Sequence, residues 1–424
     1  MAGISAAALL IVAAHLIDPH SGNVLSPAAV LVEDGKIKEV ASHIAAPNAT
    51  TIDLGNATLL PGLIDSHTHL LLNVTLPSEV EINNRYNGLF APAVLLAVAE
   101  SPGKRVLLGA QMAREDLESG FTAVRNLGHS GIDGDTSLRD AINAGRVMGP
   151  RILASARKIA QRGDYLQNLN PALADAILRQ EFLSVTGVDS ARQAVFENLL
   201  YDVDVIKVAI DDNFTAAEIA AIVDEAHRQH LKVAAHAVAT GSIQTAIDGG
   251  VDTIEHGNAV TEEQLKQMRS KGIWFDFTPT FYGGLLFKIM DASIVTAPDA
   301  TRASSVEKSK QRYNDLVQRV LKSGVRFAAG SDMCWFVPGR SRGEATAAVF
   351  PRLHEAGMPA LDVIRAITIN AAEMSGWQDR VGSIEPGKLA DIIAVDGNPL
   401  ADIHELERVT FVMKNGRVIK SPVE

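Results

Sequence analysis

The pattern of apolar and polar positions divides the chain into two β-rich ends and a middle of alternating strand and helix signals. Near the start, AAVLVEDGKIKEV places Asp34-Gly35 between two strand-like runs, and near the end VTFVMKNGRVIK places Asn415-Gly416 in the same setting. Both dipeptides favour the type I′ turns of β-hairpins. Neither terminal set of strands could bury an apolar face alone, so we expect both to form one small composite β-sandwich, over residues 1–62 and 380–424.

Eight strand-like runs follow one another through the middle of the chain. In order they are LPGLIDSH, GFTAVRNLG, RILASAR, VDVIKVAI, LKVAAHA, VDTIEHG, IWFDFTPT and VRFAAGSD. Segments between them, such as TAAEIAAIVDEAHRQH and TEEQLKQMRSKG, show helical periodicity, with threonine as a candidate cap at the start. This alternation predicts an α/β fold with a (β/α)₈ TIM-like barrel over residues 63–379. A doubly wound parallel sheet is the competing architecture, because alternation alone does not close a barrel.

The segments between strands are least regular at 73–118 and 158–193, which we expect to be long loops that shape a substrate pocket.

Potential metal ligands stand where the predicted barrel strands end. His67 and His69 are two positions apart, so they face the same side of the first strand. The candidate ligands of the whole set are His67, His69, Lys207, His236, His256 and Asp332. Taken one at a time, the histidines could be hydrogen-bonded core residues and Asp332 a helix cap. Together, imidazole and carboxylate groups at one end of a barrel suit zinc, with manganese, cobalt or iron as alternatives.

Lys207 is the unusual member of the set. A cationic lysine and a divalent metal at about 4 Å repel each other by roughly 4 kcal/mol per pair of unit charges at an effective dielectric constant near 20. The lysine is therefore neutral, or points away, or has reacted with carbon dioxide to give an anionic carbamate that could bridge two metals. The structural alternative is an ion pair with Asp202, Asp204 or Asp211.

Taken together, the motifs resemble the amidohydrolase superfamily over nearly the whole chain. The phrases that carry the resemblance are LLPGLIDSHTHL, GPRILAS, VIKVA, VAAHA, IEHG, TPT, GSD, GSIEPGKLADIIAVDGNPL and VMKNGRVI. The branch that is most similar contains imidazolonepropionase-related proteins and Xaa-Pro dipeptidases, including ochratoxin-cleaving amidohydrolases. Many of these relatives carry a Gly-Gly-His type sequence after the third strand, whereas this chain has AQRGDYLQ.

The resemblance implies the barrel with its composite β-sandwich, and a binuclear centre of two divalent metal ions, with Zn²⁺ expected. His67, His69 and Asp332 would bind the more buried metal, and His236 and His256 the more exposed one. Lys207, as a carbamate, would bind both. The resemblance also implies a homo-oligomer.

The predicted function is hydrolysis of an amide bond in a small N-acyl amino acid or dipeptide by a metal-bridging hydroxide, with Asp332 transferring the proton. Arg162, and after it Arg125, are candidates to bind a substrate carboxylate, and His129 and Tyr165 to stabilise the developing oxyanion. The alternatives are a cyclic amidohydrolase, a deaminase or a lactonase, and, outside enzymes, a catalytically silent oligomeric scaffold.

Charge and composition restrict the kinds of partner that we expect the protein to bind and the compartment in which we expect it. The net charge of −11, without a basic face, argues against binding of nucleic acid or of an anionic membrane. The apolar N-terminal run AAALLIVAAHLID lacks a basic leader region and is too short to span a bilayer, so we predict that it is part of the fold. The single cysteine, Cys334, fits a reducing compartment. We predict a cytoplasmic protein, with a periplasmic or secreted mature form that has lost its leader as the alternative.

Overall fold

The structure is a computed structural model that describes residues 8–74, 99–161, 166, 169–210, 213–279 and 299–422, with side chains from residue 307 onward in the last range. The N-terminal strands are β1 (Leu9–Ala13), β2 (His15–Ile17), β3 (Val24–Leu25), β4 (Ala28–Glu33), β5 (Lys36–Ala41), β6 (Thr50–Asp53) and β7 (Thr58–Pro61). The strands of the middle region are β8 (Leu63–Thr68), β9 (Phe121–Asn126), β10 (Arg151–Ala154), β11 (Lys158–Gln161), β12 (Phe182–Val185), β13 (Val205–Ala209), β14 (Lys232–Ala237), β15 (Thr253–His256), β16 (Trp274–Phe277) and β17 (Phe327–Ala329). The C-terminal strands are β18 (Ile392–Val395), β19 (Val409–Lys414) and β20 (Arg417–Lys420).

The helices lie mainly between the strands of the middle region. The longer ones are Pro102–Glu118, Gly134–Asn143, Pro171–Glu181, Val188–Leu199, Ala216–Arg228, Thr240–Gly249, Glu262–Lys271 and Asp299–Ser323. Shorter helices are Arg342–Ala347, Pro351–Glu355, Ala360–Ala366 and Ile369–Met374, followed by the 3₁₀ helix Ile403–Glu407. Among the described helices, none combines the length and the apolar composition that crossing a membrane requires.

Strands from both ends of the chain form the β-sandwich. One sheet has the order β5-β4-β1-β6, and the other has the order β20-β19-β18-β7-β2-β3. The second sheet joins the two termini directly, because β7 pairs antiparallel with β18, with Pro61 opposite Ile392. Ile11, Val30 and Phe411 are completely buried in the core of this sandwich. The predicted composite sandwich is therefore confirmed, while the boundaries at residues 62 and 380 stay a prediction.

The two predicted hairpin turns contact each other. Asp34-Gly35 and Asn415-Gly416 all have positive φ angles, between 50° and 77°, as a type I′ turn requires. A Cβ atom on Gly416 would lie 2.7 Å from the Cα atom of Gly35. The turns therefore pack backbone against backbone, an approach that only glycine permits. This contact ties the N-terminal hairpin to the C-terminal one.

The eight predicted strand runs form a closed parallel barrel within the described part of the chain. The strand order is β8, β9, β10 with β11, β13, β14, β15, β16 and β17, and β12 adds a parallel strand beside β11. The third strand bends at Ala156, where φ is +53°, so that β10 pairs with β9 and β11 pairs with β13. The barrel closes between the last strand and the first, where the amide of Asp332 donates to the carbonyl of His67 at 2.6 Å. A doubly wound sheet would leave these two strands apart.

Two segments that the sequence pattern left as irregular loops contain helices. Pro102–Glu118 lies in the first segment and Pro171–Glu181 in the second. Each helix begins with a proline at its first turn, where the missing N–H costs nothing, and Asn170 caps the second by accepting from the amide of Ala172. The dipeptides Ser101-Pro102 and Asn170-Pro171 are the signals that could have identified both helices.

Candidate metal centre

Five of the predicted ligands converge at the carboxyl end of the barrel. Oδ1 of Asp332 lies 3.1 Å from Nε2 of His69 and 3.4 Å from Nε2 of His67. Its other oxygen, Oδ2, lies 3.8 Å from Nδ1 of His256. The rings of His236 and His256 are 4.5 Å apart between centroids. Ligand atoms of His67, His256 and Asp332 all lie within 4.8 Å of one another, a separation that one metal ion can span.

The backbone at this rim is held in uncommon conformations. Asp332 has a φ of +51° and His256 a φ of +70°, which cost energy for residues other than glycine and are found where surrounding structure imposes them. Gly330, in the Gly-Ser-Asp motif, allows β17 to approach the first strand, since a Cβ atom there would lie 2.2 Å from the amide nitrogen of His67. The tight approach places the Asp332 carboxylate against the two histidines of the first strand.

His67 and His69 present Nε2 to the centre, whereas the nitrogen of His256 that lies near Asp332 is Nδ1. Nδ1 of His67 donates to Oε2 of Glu255 at 2.8 Å, and Nδ1 of His69 donates to the carbonyl of Gly128 at 3.1 Å. Nδ1 of His256 shares a hydrogen bond of 2.8 Å with the hydroxyl of Thr278. An imidazole held at Nδ1 carries its lone pair on Nε2, which is the state in which histidine binds a metal. Burial lowers the pKa of all three rings, so the neutral form is favoured.

Lys207 lies in the middle of β13, with 1% of its surface exposed. Its Nζ atom has no hydrogen-bond partner among the described residues, and burial lowers its pKa to about 8. The ion pairs that could have explained it are absent for the described aspartates: Asp204 accepts from Arg139 at 2.7 Å, and Asp202 lies 3.6 Å from Arg139. A buried amine without a partner is costly. The buried Nζ atom without a partner is compatible with a lysine whose nitrogen is covalently modified, as in a carbamate.

Arg125 occupies a buried network behind the centre. Its Nη2 atom donates to Oε1 of Glu255 at 2.8 Å and to Oδ2 of Asp276 at 3.0 Å, while Nε donates to the carbonyl of Ser66 at 2.6 Å. Burial opposes ionisation of Glu255, but Arg125 lowers the pKa of that carboxyl below its usual range. His67, Glu255 and Asp276 also bring ligand atoms within 4.8 Å of one another. In this second group, the guanidinium of Arg125 is already the cation that pairs with both carboxylates. Arg125, a sequence candidate for the substrate carboxylate, thus binds carboxylates of the protein itself.

His129 lies beside the centre rather than in it. Its ring is 4.9 Å from the ring of His69, and its Nε2 atom accepts a hydrogen bond of 2.6 Å from Nζ of Lys158. Arg105 fixes the loop by donating to the carbonyl of His129 and by pairing with Glu181.

Sequence reasoning missed Lys158, because the third strand was expected to run through RILASAR. The third strand continues after its bend as β11, with the sequence KIAQ, and Lys158 is the first residue of this second part. The predicted substrate-binding residues Arg162 and Tyr165 lie outside the described residues.

Similar proteins are known for nearly the whole length of the chain. The model of the amidohydrolase family matches residues 58–419. An ochratoxinase of Aspergillus niger is 28% identical, with 100% of this chain and 89% of the relative covered. An imidazolonepropionase of Deinococcus deserti is 26% identical, with 89% of this chain and 88% of the relative covered.

Solved structures extend the similarity to the fold. A prolidase complexed with N-methylphosphonate-L-proline superimposes with a TM-score of 0.82 at 26% identity, covering 98% of this chain and 100% of the other. A Xaa-Pro dipeptidase with methionine bound in its active site has a TM-score of 0.80 at 28% identity, covering 97% and 99%. Since the family model spans both the barrel and strands of the sandwich, this chain belongs to the amidohydrolase family.

Proposed function

We propose that the protein is a metal-dependent hydrolase of an amide bond in an N-acyl amino acid or a dipeptide. The observation that carries the proposal is the convergence of His67 and His69 on one oxygen of Asp332, with His256 near the other oxygen. The similarity to a prolidase and to a Xaa-Pro dipeptidase supports a carbon–nitrogen bond as the target. The similarity to an ochratoxinase is consistent with a hydrolase that acts on a small molecule.

We assign two divalent metal ions, with Zn²⁺ as the expected element, to the centre. His67, His69 and Asp332 would hold one ion, and His236 and His256 the other. Lys207 would serve both ions after its amine has added carbon dioxide and lost a proton. The fit rests on the Nε2 lone pairs of the histidines and on the unpartnered, buried Nζ of Lys207. Metal ions at such a site lower the pKa of water to about 7 and polarise a carbonyl group.

Asp332 has the position of the proton carrier. One carboxylate oxygen contacts the imidazoles of the first strand, and the side chain is 9% exposed at the rim. In our proposal this carboxylate takes a proton from the attacking water and then delivers it to the amide nitrogen. The delivery matters because an amine leaves as a neutral molecule only after protonation. The products are a carboxylic acid and a free amine.

The substrate's carboxylate needs a cation near the centre. Arg125 is a poor candidate, since Glu255 and Asp276 already occupy its guanidinium. Arg162 keeps its place as a proposal from the sequence, together with Tyr165 as a donor to the oxyanion. His129 is close enough to His69 to line the substrate pocket.

Metal analysis and a substrate screen test the proposed function. Purified protein is analysed for zinc, manganese, cobalt and iron, and is then assayed with N-acyl amino acids and Xaa-Pro dipeptides by the release of free amine. We expect about two metal equivalents per chain and turnover that a chelator abolishes. A protein that binds no divalent metal, or a metal-loaded protein that releases no amine from any member of the panel, would overturn the proposal.

The imidazolonepropionase relative favours a cyclic amide as a second candidate substrate. Hydrolysis of a cyclic amide opens the ring and gives a single product, so mass spectrometry distinguishes it from the cleavage of an N-acyl amino acid.

A further inference from the structure

Arg342 is a buried arginine next to the centre that has no part in the proposed mechanism. It begins the helix Arg342–Ala347 and has 4% of its surface exposed. Its Nη2 atom donates to the hydroxyl of Thr68 at 3.0 Å and to the carbonyl of His69 at 3.3 Å, while Nη1 donates to the carbonyl of Leu72 at 3.2 Å. Nη2 also donates to the carbonyl of Met333. One guanidinium therefore binds the end of the first barrel strand and the segment that follows the last one.

The two segments that Arg342 joins close the barrel beside the candidate ligands. The amide of His69 donates to the carbonyl of Met333 at 3.2 Å, and the amide of Asp332 donates to the carbonyl of His67 at 2.6 Å. Thr68 and Met333 pair as an isolated β-bridge rather than as part of a continuous ladder. The hydrogen bonds from Arg342 therefore reinforce a seam that is held by few backbone bonds.

Contacts with a neighbouring helix hold the backbone of Arg342 in place. Its amide donates to Oε2 of Glu115 at 2.7 Å. The next residue, Gly343, lies directly against the helix Pro102–Glu118, since a Cβ atom there would be 2.1 Å from the carbonyl oxygen of Glu115. The arginine thus projects from a backbone that is itself fixed, as a side chain that positions other groups requires.

The described acceptors of the guanidinium are all neutral oxygen atoms, in backbone carbonyls and one hydroxyl. Hydrogen bonds from a charged donor to such acceptors are stronger than those between neutral groups. The planar fork of a guanidinium spreads its donors and can reach two chain segments at once, whereas the ammonium group of lysine is a compact point charge. The contacts of Arg342 therefore depend on the shape of the guanidinium as well as on its charge.

We propose that Arg342 is a positioning residue of the metal centre, which fixes the separation of His69 and Asp332 by joining the backbone of the two segments that carry them. The inference rests on the proposed function, which assigns both side chains to one metal ion. His69 is held through its own carbonyl, and Asp332 through its neighbour Met333. Nε2 of His69 and Oδ1 of Asp332 are 3.1 Å apart in this arrangement. A shift of about 0.5 Å between the segments would already disturb the geometry that a metal ion needs.

Zinc binding by arginine variants tests the inference. Arg342→Met removes the donors but keeps an unbranched side chain, so zinc affinity, measured by competition with a chromogenic chelator, should fall by about 10- to 100-fold. Arg342→Lys keeps the charge without the fork and should bind zinc with an intermediate affinity. Arg139→Met is the matched control. Arg139 is also buried and donates to the carbonyl of Asp202 and to the carboxylate of Asp204, but these residues precede β13 at the amino end of the barrel, so zinc affinity should be unchanged.

Two further readouts separate positioning from a general loss of stability. The visible absorption spectrum of the cobalt-loaded protein reports the arrangement of the ligands, so it should change in Arg342→Met and stay as in the wild type in Arg139→Met. Urea unfolding of the metal-free proteins should show a loss of stability in both variants. With an amide that the wild type cleaves, and with saturating metal, Arg342→Met should lower kcat and leave KM nearly unchanged, because Arg342 binds the backbone and not the substrate.

The outcomes separate the inference from the function on which it rests. If the wild-type protein binds no divalent metal, the proposed function fails and the inference fails with it. If the wild type binds metal and cleaves amides, but Arg342→Met keeps wild-type zinc affinity and the wild-type cobalt spectrum, the proposed function stands and Arg342 does not position the ligands. An equal loss of zinc affinity in Arg139→Met would overturn the inference in the same way. Should Arg342→Met fail to fold, Arg342→Lys decides, and wild-type zinc affinity in that variant would overturn the inference.

Discussion

The Nδ1 atom of His67 lies 2.8 Å from Oε2 of Glu255, and both side chains are almost completely buried. Glu255 directly precedes His256. Strand β15 therefore supplies the candidate ligand His256 and also the carboxylate that holds the candidate ligand His67. Arg125 binds the second oxygen of the same carboxylate at 2.8 Å. The charge of Glu255 is thereby balanced, and the ring of His67 is held with Nε2 toward the centre. A carboxylate in this position is expected to increase the basicity of the metal-binding nitrogen.

Replacement of Glu255 by glutamine tests this arrangement. Glu255→Gln keeps an acceptor for Nδ1 of His67 but removes the charge, so we expect zinc affinity to fall by about 10- to 100-fold. Affinity is measured by competition with a chromogenic chelator, and circular dichroism checks the fold. Asp276→Asn is the matched control, because Asp276 also accepts from Arg125 but, unlike Glu255, does not accept a hydrogen bond from His67. Wild-type affinity in the Glu255 variant would contradict the role.

Asp332 is expected to be indispensable for turnover. Asp332→Asn removes the group that carries the proton, so kcat should fall by about 10²- to 10⁴-fold while the melting temperature changes little. Metal content is measured on the same samples, since the side chain is also a proposed ligand. The exposed Asp140 provides a control, as Asp140→Asn should leave kcat unchanged. An Asp332→Asn enzyme with near-normal kcat would refute the assignment.

Lys207 is expected to determine metal content. Lys207→Ala should bind fewer than the wild-type number of metal ions, and acetate or propionate should restore part of the metal and the activity by placing a carboxylate where the carbamate would be. Mass analysis under native conditions with bicarbonate should also show the added mass of carbon dioxide in the wild type alone. Lys414→Ala serves as control, because Lys414 is a partly buried lysine at the end of β19 in the sandwich, where it donates to the carbonyl of Gly149. Two bound metals with full activity in Lys207→Ala would show that the carbamate is unnecessary.

The contact between the two hairpin turns should contribute to stability. Gly416→Ala would place a methyl group against the backbone of Gly35, and its φ of +72° is itself unfavourable for alanine. Gly55→Ala is the control, because Gly55 has a φ of +57° but open space around its Cα atom. We expect Gly55→Ala to cost about 1 kcal/mol and Gly416→Ala clearly more. Urea unfolding compares the two, and equal losses would exclude a steric contribution from the contact.

Asp116 should make stability depend on pH. Burial raises its pKa to about 6, above the unfolded value of 3.8, so the folded state favours the protonated form. The stabilisation is fully present below about pH 4 and is lost as the pH rises through 6. Asp116→Asn keeps an acceptor for the hydroxyl of Thr346 but cannot titrate. Melting temperatures from pH 4 to 7 should therefore decrease less for the variant than for the wild type. Parallel pH profiles would contradict the prediction.

The elements that the sequence predicted share a local origin. The eight barrel strands and both hairpins are encoded by runs of apolar residues and by Asp-Gly or Asn-Gly pairs, which act over a few residues. His67 and His69 could be placed on one face from the alternation of side chains along a strand. The convergence of ligands at one rim then followed from the parallel barrel, in which all strands end on the same side. The helices that begin at Pro102 and Pro171 were local as well, but their proline signals were overlooked.

The buried charged side chains find their hydrogen-bond partners far away in the sequence. Arg125 contacts Glu255, which is 130 residues away, and Lys158 contacts His129 from the neighbouring barrel strand. From the sequence, Arg125 was a candidate to bind the substrate, whereas the structure pairs it with the buried carboxylates of Glu255 and Asp276. The sequence by itself determined which strands form and which ligand types end them, because both depend on near neighbours. Only the tertiary structure decided which cation lies behind the centre and which lies at its edge, because burial and pairing depend on strands that meet only when the barrel closes.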